Sequence, residues 1–355
     1  MMPDVEILES ERKEDKSVLR IDRLIALWAL SEAALGGVLH AFSIPLTGLI
    51  INSSAVIFMV LIATASEKKG TILRATVIVL IVKGIVSPHT PLAAYVAVGF
   101  QGLMGEVLLR SRKYLLTCAV ALGVLTLFQS AIQKILILTI VYGKILWESI
   151  DLFGNLLISQ ISFLPDLSGK IDFSLWLISG YVSIHVIAGL GIGIIAARIP
   201  GWLEQELLLN KFDQRIKPIR ENPVFTQGKK RKRGIKKPSV LIIILLSASL
   251  FILSYFFPEI SKTQGMKAMI MILRAGFILF LWYKLLGPLL LRLYQRLLKN
   301  KKTAYADQVQ EVLDILPSLR FILHQTWQNS RKYRGVKRMK VFVVRSLATI
   351  LTVKI

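Results

Sequence analysis

The chain has 355 residues, is 54% hydrophobic with a mean hydropathy of +0.59, and carries a formal net charge of +23. That apolar content excludes an ordinary water-soluble domain, since several runs approach the roughly 20 residues that cross a bilayer. The excess of Lys and Arg does not point to nucleic acid, because the basic residues sit in short blocks between apolar stretches, as in the cytosolic loops of membrane proteins.

Residues 1–23 begin acidic and mixed in charge (MMPDVEILESERKEDKS), unlike a cleavable signal, and are expected to form a cytosolic tail. The first span is expected at 24–42, LIALWALSEAALGGVLHAF. It holds a small-residue ladder, Ala29, Ala33 and Gly37, at steps of four, which suits close helix docking. It also holds Glu32 and His40. Ser43-Ile44-Pro45 breaks it, and a second span follows at 46–65. The basic loop SEKKG leads to a third span at 71–87. Pro88-His89-Thr90-Pro91 is a rigid turn, because closely spaced prolines cannot continue a helix. A fourth span at 91–109 ends in Arg110-Ser111-Arg112-Lys113. A fifth at 114–142 is longer than needed, so it tilts or projects.

Residues 143–170 place apolar residues at helical spacing between polar ones, which reads as an interfacial or re-entrant amphipathic helix. A sixth span at 172–198 ends at Arg198-Ile199-Pro200. Residues 199–238 form a polybasic cytosolic linker, with 11 Lys/Arg against 2 acids between Lys211 and Lys237. A two-span segment at 239–291 holds spans at 239–257 and 266–291. The cytosolic tail at 292–355 includes an amphipathic helix at 305–329, bent at Pro317, then SRKYRGVKRMK and a last apolar helix. Eight spans with both termini inside place every basic loop in the cytosol. The expected fold is an all-α polytopic membrane protein of the inner membrane.

The single cysteine, Cys118, lies in an apolar run, so no intrachain disulfide or zinc spacing is available, and no cofactor or metal is expected. No G-x-x-x-x-G-K-[ST], H-E-x-x-H or G-x-S-x-G motif occurs, so the chain reads as a non-enzyme, and any ATP hydrolysis falls to a partner. The glycines of GLGIGII (189–195) read as helix-packing residues. The chemistry lies in polar side chains at membrane depth: His40, Asn52, Lys83, Gln101, Gln129, Gln133 and His185. Most fall in the outer half, where a pocket open to the outside would lie, and their positive members favour an anionic solute. The competing reading is interhelical hydrogen bonds and snorkelling lysines. Glu32 and Glu106 fall in the inner halves. Glu32 could meet a basic group on a partner helix or pair within the bundle, for example with Arg74. The runs GKKRKRGIKK and SRKYRGVKRMK read as topogenic or anionic-lipid-binding stretches.

Residues 20–200 resemble the substrate-binding S component of energy-coupling factor vitamin transporters. The likeness rests on six short helices, the Ala29, Ala33, Gly37 ladder, the Pro45-Leu46-Thr47-Gly48 entry to the second span, the Ser87 to Glu106 stretch SPHTPLAAYVAVGFQGLMGE, and a glycine-rich last helix after YVSIHV. The resemblance implies that the ladder packs on a transmembrane T component and that a vitamin-like solute sits near the outer side. The last third is similar to parts of the T component, whose X-Arg-X motifs enter grooves of two ATP-binding cassette ATPase subunits. Tyr333-Arg334-Gly335 matches that motif, and Ser330-Arg331-Lys332 or Val344-Arg345-Ser346 is a further candidate. Two spans precede this tail where a T component has more, and Tyr stands where the family has a small residue. The expected function is therefore a substrate-binding importer subunit energised by separate ATPases. The competing function is a membrane scaffold or assembly factor with a basic interaction tail, and an intramembrane enzyme acting on lipid is a third option.

Overall fold

The computed structural model describes residues 21–35, 47–87, 92–110, 112–160, 171–209, 264–289 and 304–352, together with 292 and 296. Gly37, His40, the Pro88–Pro91 turn, the polybasic run and the expected span at 239–257 lie outside the described residues. Every regular element among the described residues is helical. Helix α1 covers 21–35, with a π-helical turn over Ser31–Leu35. It is followed by α2 (Thr47–Ala65), α3 (Thr71–Val86), α4 (Leu92–Leu108), α5 (Leu115–Tyr142), α6 (Lys144–Ser159) and α7 (Phe173–Leu209). The chain then forms α8 (Gln264–Leu281), α9 (Ala306–Asn329) and α10 (Gly335–Thr352).

Four described helical stretches are long and apolar enough to cross a membrane: Thr47–Ala65, Leu115–Tyr142, Phe173–Leu207 and Met269–Leu289. Leu92–Leu108 is a shorter apolar helix. Thr47–Ala65, Leu115–Tyr142 and Phe173–Leu207 have no distinct polar face, the mark of a membrane span or a fully buried element. The fold is that of an all-α membrane protein.

The chain divides into two compact units. The first comprises Met1–Ser130, His185–Val224 and Arg296–Ile355; the second comprises Ala131–Ile184 and Phe225–Gln295. In the first unit, α1 packs on α2 and α3, α4 packs on α2 and α3, and α9 packs on α3 and α10. Helix α1 is enclosed all round, since every residue from Asp22 to Leu30 is buried. Ala29 and Ala33 are buried with it, so that part of the small-residue ladder is covered within this chain.

The α5 and α7 backbones touch in the first unit through Gly123, Gly189 and Gly193. A Cβ on Gly189 would stand 2.7 Å from the Gly123 carbonyl oxygen, and one on Gly193 would stand 2.7 Å from the Ala119 oxygen. Only glycine permits that approach. Helix α7 continues through Pro200 to Leu209, beyond the end expected at residue 198. Proline weakens a helix interior by removing one hydrogen bond and crowding the preceding turn. Here tertiary contacts hold the following turns. Ile199 and Leu203 are buried, Lys340 Nζ lies 4.2 Å from the Trp202 ring centroid, and Arg345 Nε donates to Glu206 Oε1 at 3.2 Å.

In the second unit, the stretch expected to be amphipathic forms α6. Its Asp151 carboxylate accepts from the Ser174 backbone N–H at 2.6 Å and from Ser174 Oγ at 2.9 Å, capping the start of α7. Leu152, Phe153, Leu156 and Leu157 remain exposed on α6.

Candidate functional site: a buried polar belt

Four apolar helices of the first unit carry charged and amide side chains that meet one another. Lys83 Nζ of α3 donates to Glu32 Oε2 of α1 at 2.6 Å, with both side chains almost fully buried. Gln101 Nε2 of α4 donates to Asn52 Oδ1 of α2 at 2.8 Å. Ser54 Oγ of α2 donates to Ser31 Oγ of α1 at 3.1 Å. These contacts tie α1 to α2, α1 to α3, and α2 to α4. Glu32 sits within the π-helical turn, and such turns add a residue to the helix and re-aim its side chains, often at functional sites.

The belt leaves hydrogen-bonding capacity over. Glu32 Oε1 and Gln101 Oε1 are buried acceptors without a hydrogen-bond partner among the described residues, and Trp28 Nε1 is a buried donor in the same condition. Trp28 and Glu32 are four residues apart, which puts them on one face of α1. A buried polar atom left unmet costs about 1–3 kcal/mol, so two on α1 and one on α4 call for an explanation.

The sequence candidates thus separate. Asn52 and Gln101 come together directly. Lys83 meets Glu32, and Glu32 pairs with Lys83 where Arg74 was the expected example. The Arg74 guanidinium instead reaches Gln308 of α9, Nε to Oε1 at 3.2 Å. His185 is fully buried on α7, and Gln129 is half-buried on α5, both in the first unit. Gln133 is half-buried and belongs to the second unit. Trp28, Ser31 and Ser54 join the belt without having been singled out; the four-residue step from Trp28 to Glu32 was the available signal.

Glu106 has a different task. Its carboxylate accepts from the backbone N–H of Gly70 at 2.6 Å, Ile72 at 3.1 Å and Leu73 at 3.3 Å, which caps α3. Of the tail candidates, Arg334 is exposed, Gly335 opens α10 with φ +56°, and Arg345 is engaged with Glu206. A cavity of about 380 Å³ lies apart from the belt, at the loop between α2 and α3. No family model, curated protein or solved structure matches the chain.

Proposed function

We propose that the chain is a substrate-binding membrane subunit of an energy-coupling factor type importer, which takes a small vitamin-like solute from outside and is energised by separate ATP-binding cassette ATPase subunits. The observation that carries this reading is the belt of Glu32, Lys83, Asn52 and Gln101 on apolar helices. Ionisable groups at membrane depth are costly and commonly line solute or ion pathways. The eight-span topology, the inner-membrane location and the two cytosolic termini belong to the same proposal. So does coupling through Arg334 and Gly335, which lie at an exposed turn before α10. Because Ala29 and Ala33 are covered within this chain, a separate T component would dock on another surface.

The unmet atoms set the solute's chemistry. Two acceptors and one donor call for a solute that brings N–H or O–H groups together with an acceptor. Glu32 neutralises Lys83, so an anion gains little from that lysine. The test is mass spectrometry of small molecules released from the purified full chain, followed by binding to Gln101→Leu and Asn52→Leu. A co-purifying solute, lost in both variants while the thermal unfolding midpoint is kept, is the expected result. Its undiminished retention in both variants sinks the site.

A second reading, a membrane scaffold with a basic interaction tail, draws on the exposed Arg334, Lys337 and Val336 around the start of α10. Co-purification separates the two. The importer should bring down ATP-binding subunits and lose them in Arg334→Glu, whereas a scaffold should bring down none.

A further inference from the structure

The loop between α2 and α3 and the end of α4 enclose the cavity of about 380 Å³. Its apolar wall is Ala63, Ile72 and Leu109, and its polar wall includes Lys68, Lys69 and Arg110 with the hydroxyls of Ser66 and Thr71. The loop is held in one shape. Ser66 Oγ and Thr71 Oγ1 are 3.1 Å apart, the Lys68 backbone N–H donates to Ser66 Oγ at 3.2 Å, and Thr71 Oγ1 donates to the Lys68 carbonyl at 2.6 Å. Gly70 adopts φ +83°, which lets the chain turn into α3.

Two carboxylates, Glu67 and Glu106, also line the cavity. Glu106 faces three backbone N–H groups of the α3 start, and Lys68, Lys69 and Arg110 outnumber the two carboxylates, so the wall keeps a net positive charge. The cavity therefore combines cations in excess with apolar side chains. A second feature runs into it. Leu103 and Val107 are 53% and 66% exposed on α4, and with Arg110 they follow helical spacing along one track. That track is apolar along the helix and ends in a cation at the cavity.

We propose that this cavity binds the phosphate of an anionic lipid headgroup, with an acyl chain lying along Leu103 and Val107. The reading stands apart from the solute site and does not depend on it. Phosphate supplies acceptors for Lys69 and Arg110, and the backbone of the loop that carries Lys69 is already held by its own hydrogen bonds. A soluble phosphate shares the headgroup chemistry but has nothing to place on the α4 track.

The test uses the full chain in mild detergent, titrated with phosphatidylglycerol, phosphatidylcholine, glycerol phosphate or inorganic phosphate. Retained lipid is read by native mass spectrometry and stabilisation by thermal unfolding. Phosphatidylglycerol should bind and stabilise in preference to phosphatidylcholine. Lys69→Gln and Arg110→Gln should each weaken that binding about fivefold, the effect of one basic residue near an anionic surface. Arg320→Gln, an exposed charge on α9, should change nothing. Val107→Ser keeps every charge and should weaken phosphatidylglycerol while leaving the response to inorganic phosphate unchanged. Equal phosphatidylglycerol binding by wild type, Lys69→Gln and Arg110→Gln would overturn the proposal. So would glycerol phosphate binding as tightly as the lipid and indifferent to Val107→Ser, which would assign the cavity to soluble phosphate.

Discussion

Glu32 and Lys83 show how one contact can be read as structure or as function. Desolvating two charges offsets most of their attraction, so a buried pair adds little net stability. Removing one member is different, because it leaves the other charge buried alone. Glu32→Gln is expected to cost about 3–5 kcal/mol in unfolding free energy, and Glu32→Gln with Lys83→Met to recover most of it. Denaturant or thermal unfolding of the three proteins checks this. Solute binding should fail to recover in the double variant, because the Glu32 carboxylate is gone from the belt. A double variant that regains both stability and binding would make the pair purely architectural. Glu106→Ala offers a simpler comparison, since it strips the α3 start of a carboxylate that accepts three backbone N–H bonds. A loss of about 1–3 kcal/mol is expected by the same unfolding assay.

Every belt residue that carries a charge or an amide was visible in the sequence as a polar group where lipid would reject it. Their partners were not. Pairing depends on the axial register of α1 against α3, and the π-helical turn at Ser31–Leu35 changes where Glu32 points. No spacing rule applied to α1 alone gives that register, so Arg74 stood as the example of a partner for Glu32, and Lys83 was read as lining a pocket. The unmet atoms of Trp28, Glu32 and Gln101 are likewise a property of the assembled helices.

At the scale of elements, sequence periodicity carried further. The amphipathic patterns over α6 and α9 correspond to helices at Lys144–Ser159 and Ala306–Asn329, and of the apolar positions that make the α9 pattern Val309, Val312, Leu316, Leu319 and Ile322 are buried while Leu313 and Leu323 are half-buried. The end of α7 was misplaced because proline was weighed without the contacts that hold Trp202 and Glu206. The glycines of 189–195 were read as packing residues, and the structure distinguishes among them. Gly189 and Gly193 face the α5 backbone, while Gly191 has nothing within 4 Å of where a Cβ would stand. Gly189→Ala and Gly193→Ala should each cost about 1–3 kcal/mol by forcing two backbones apart. Gly191→Ala should be neutral or gain up to about 1 kcal/mol, as expected for alanine in a helix. Unfolding midpoints of the three variants in one detergent make the comparison, and equal losses in all three would refute the assigned contact face. Ala33→Leu belongs with the first two, because its site is already enclosed and a larger side chain must displace a neighbour.

At the scale of the whole molecule, sequence order conceals that residues 296–355 fall in the same compact unit as the first helices. Residues over 300 positions apart meet at that junction. Arg23 Nη1 donates to the Ile350 carbonyl at 2.6 Å, in the last turn of α10, where a cation suits both the open carbonyls and the helix dipole. Asp22 is buried beside it, and burial pushes its carboxyl up from 3.8 to about 6, with Glu311 of α9 pushing the same way and Arg74 of α3 opposing. The sign of the pH effect follows. The folded state holds this proton more tightly than the unfolded chain, so the stabilising effect of protonation is fully present below the unfolded value of 3.8. It is lost as pH rises through about 6, and above that the desolvated carboxylate weakens the junction. Asp22→Asn mimics the protonated group without titrating. It should raise the unfolding midpoint at pH 7.5, change it little at pH 4, and remove part of the slope between. The difference between wild type and variant across that range isolates Asp22 from other carboxylates. Cleavage in α9 and α10 by an added protease should follow the same curve, becoming faster in wild type above pH 6 and showing no such rise in the variant. A constant difference in midpoint from pH 4 to 7.5 would mean that Asp22 does not titrate in this window, and the burial of its carboxyl would then have to be balanced by Arg23 and Arg74 together.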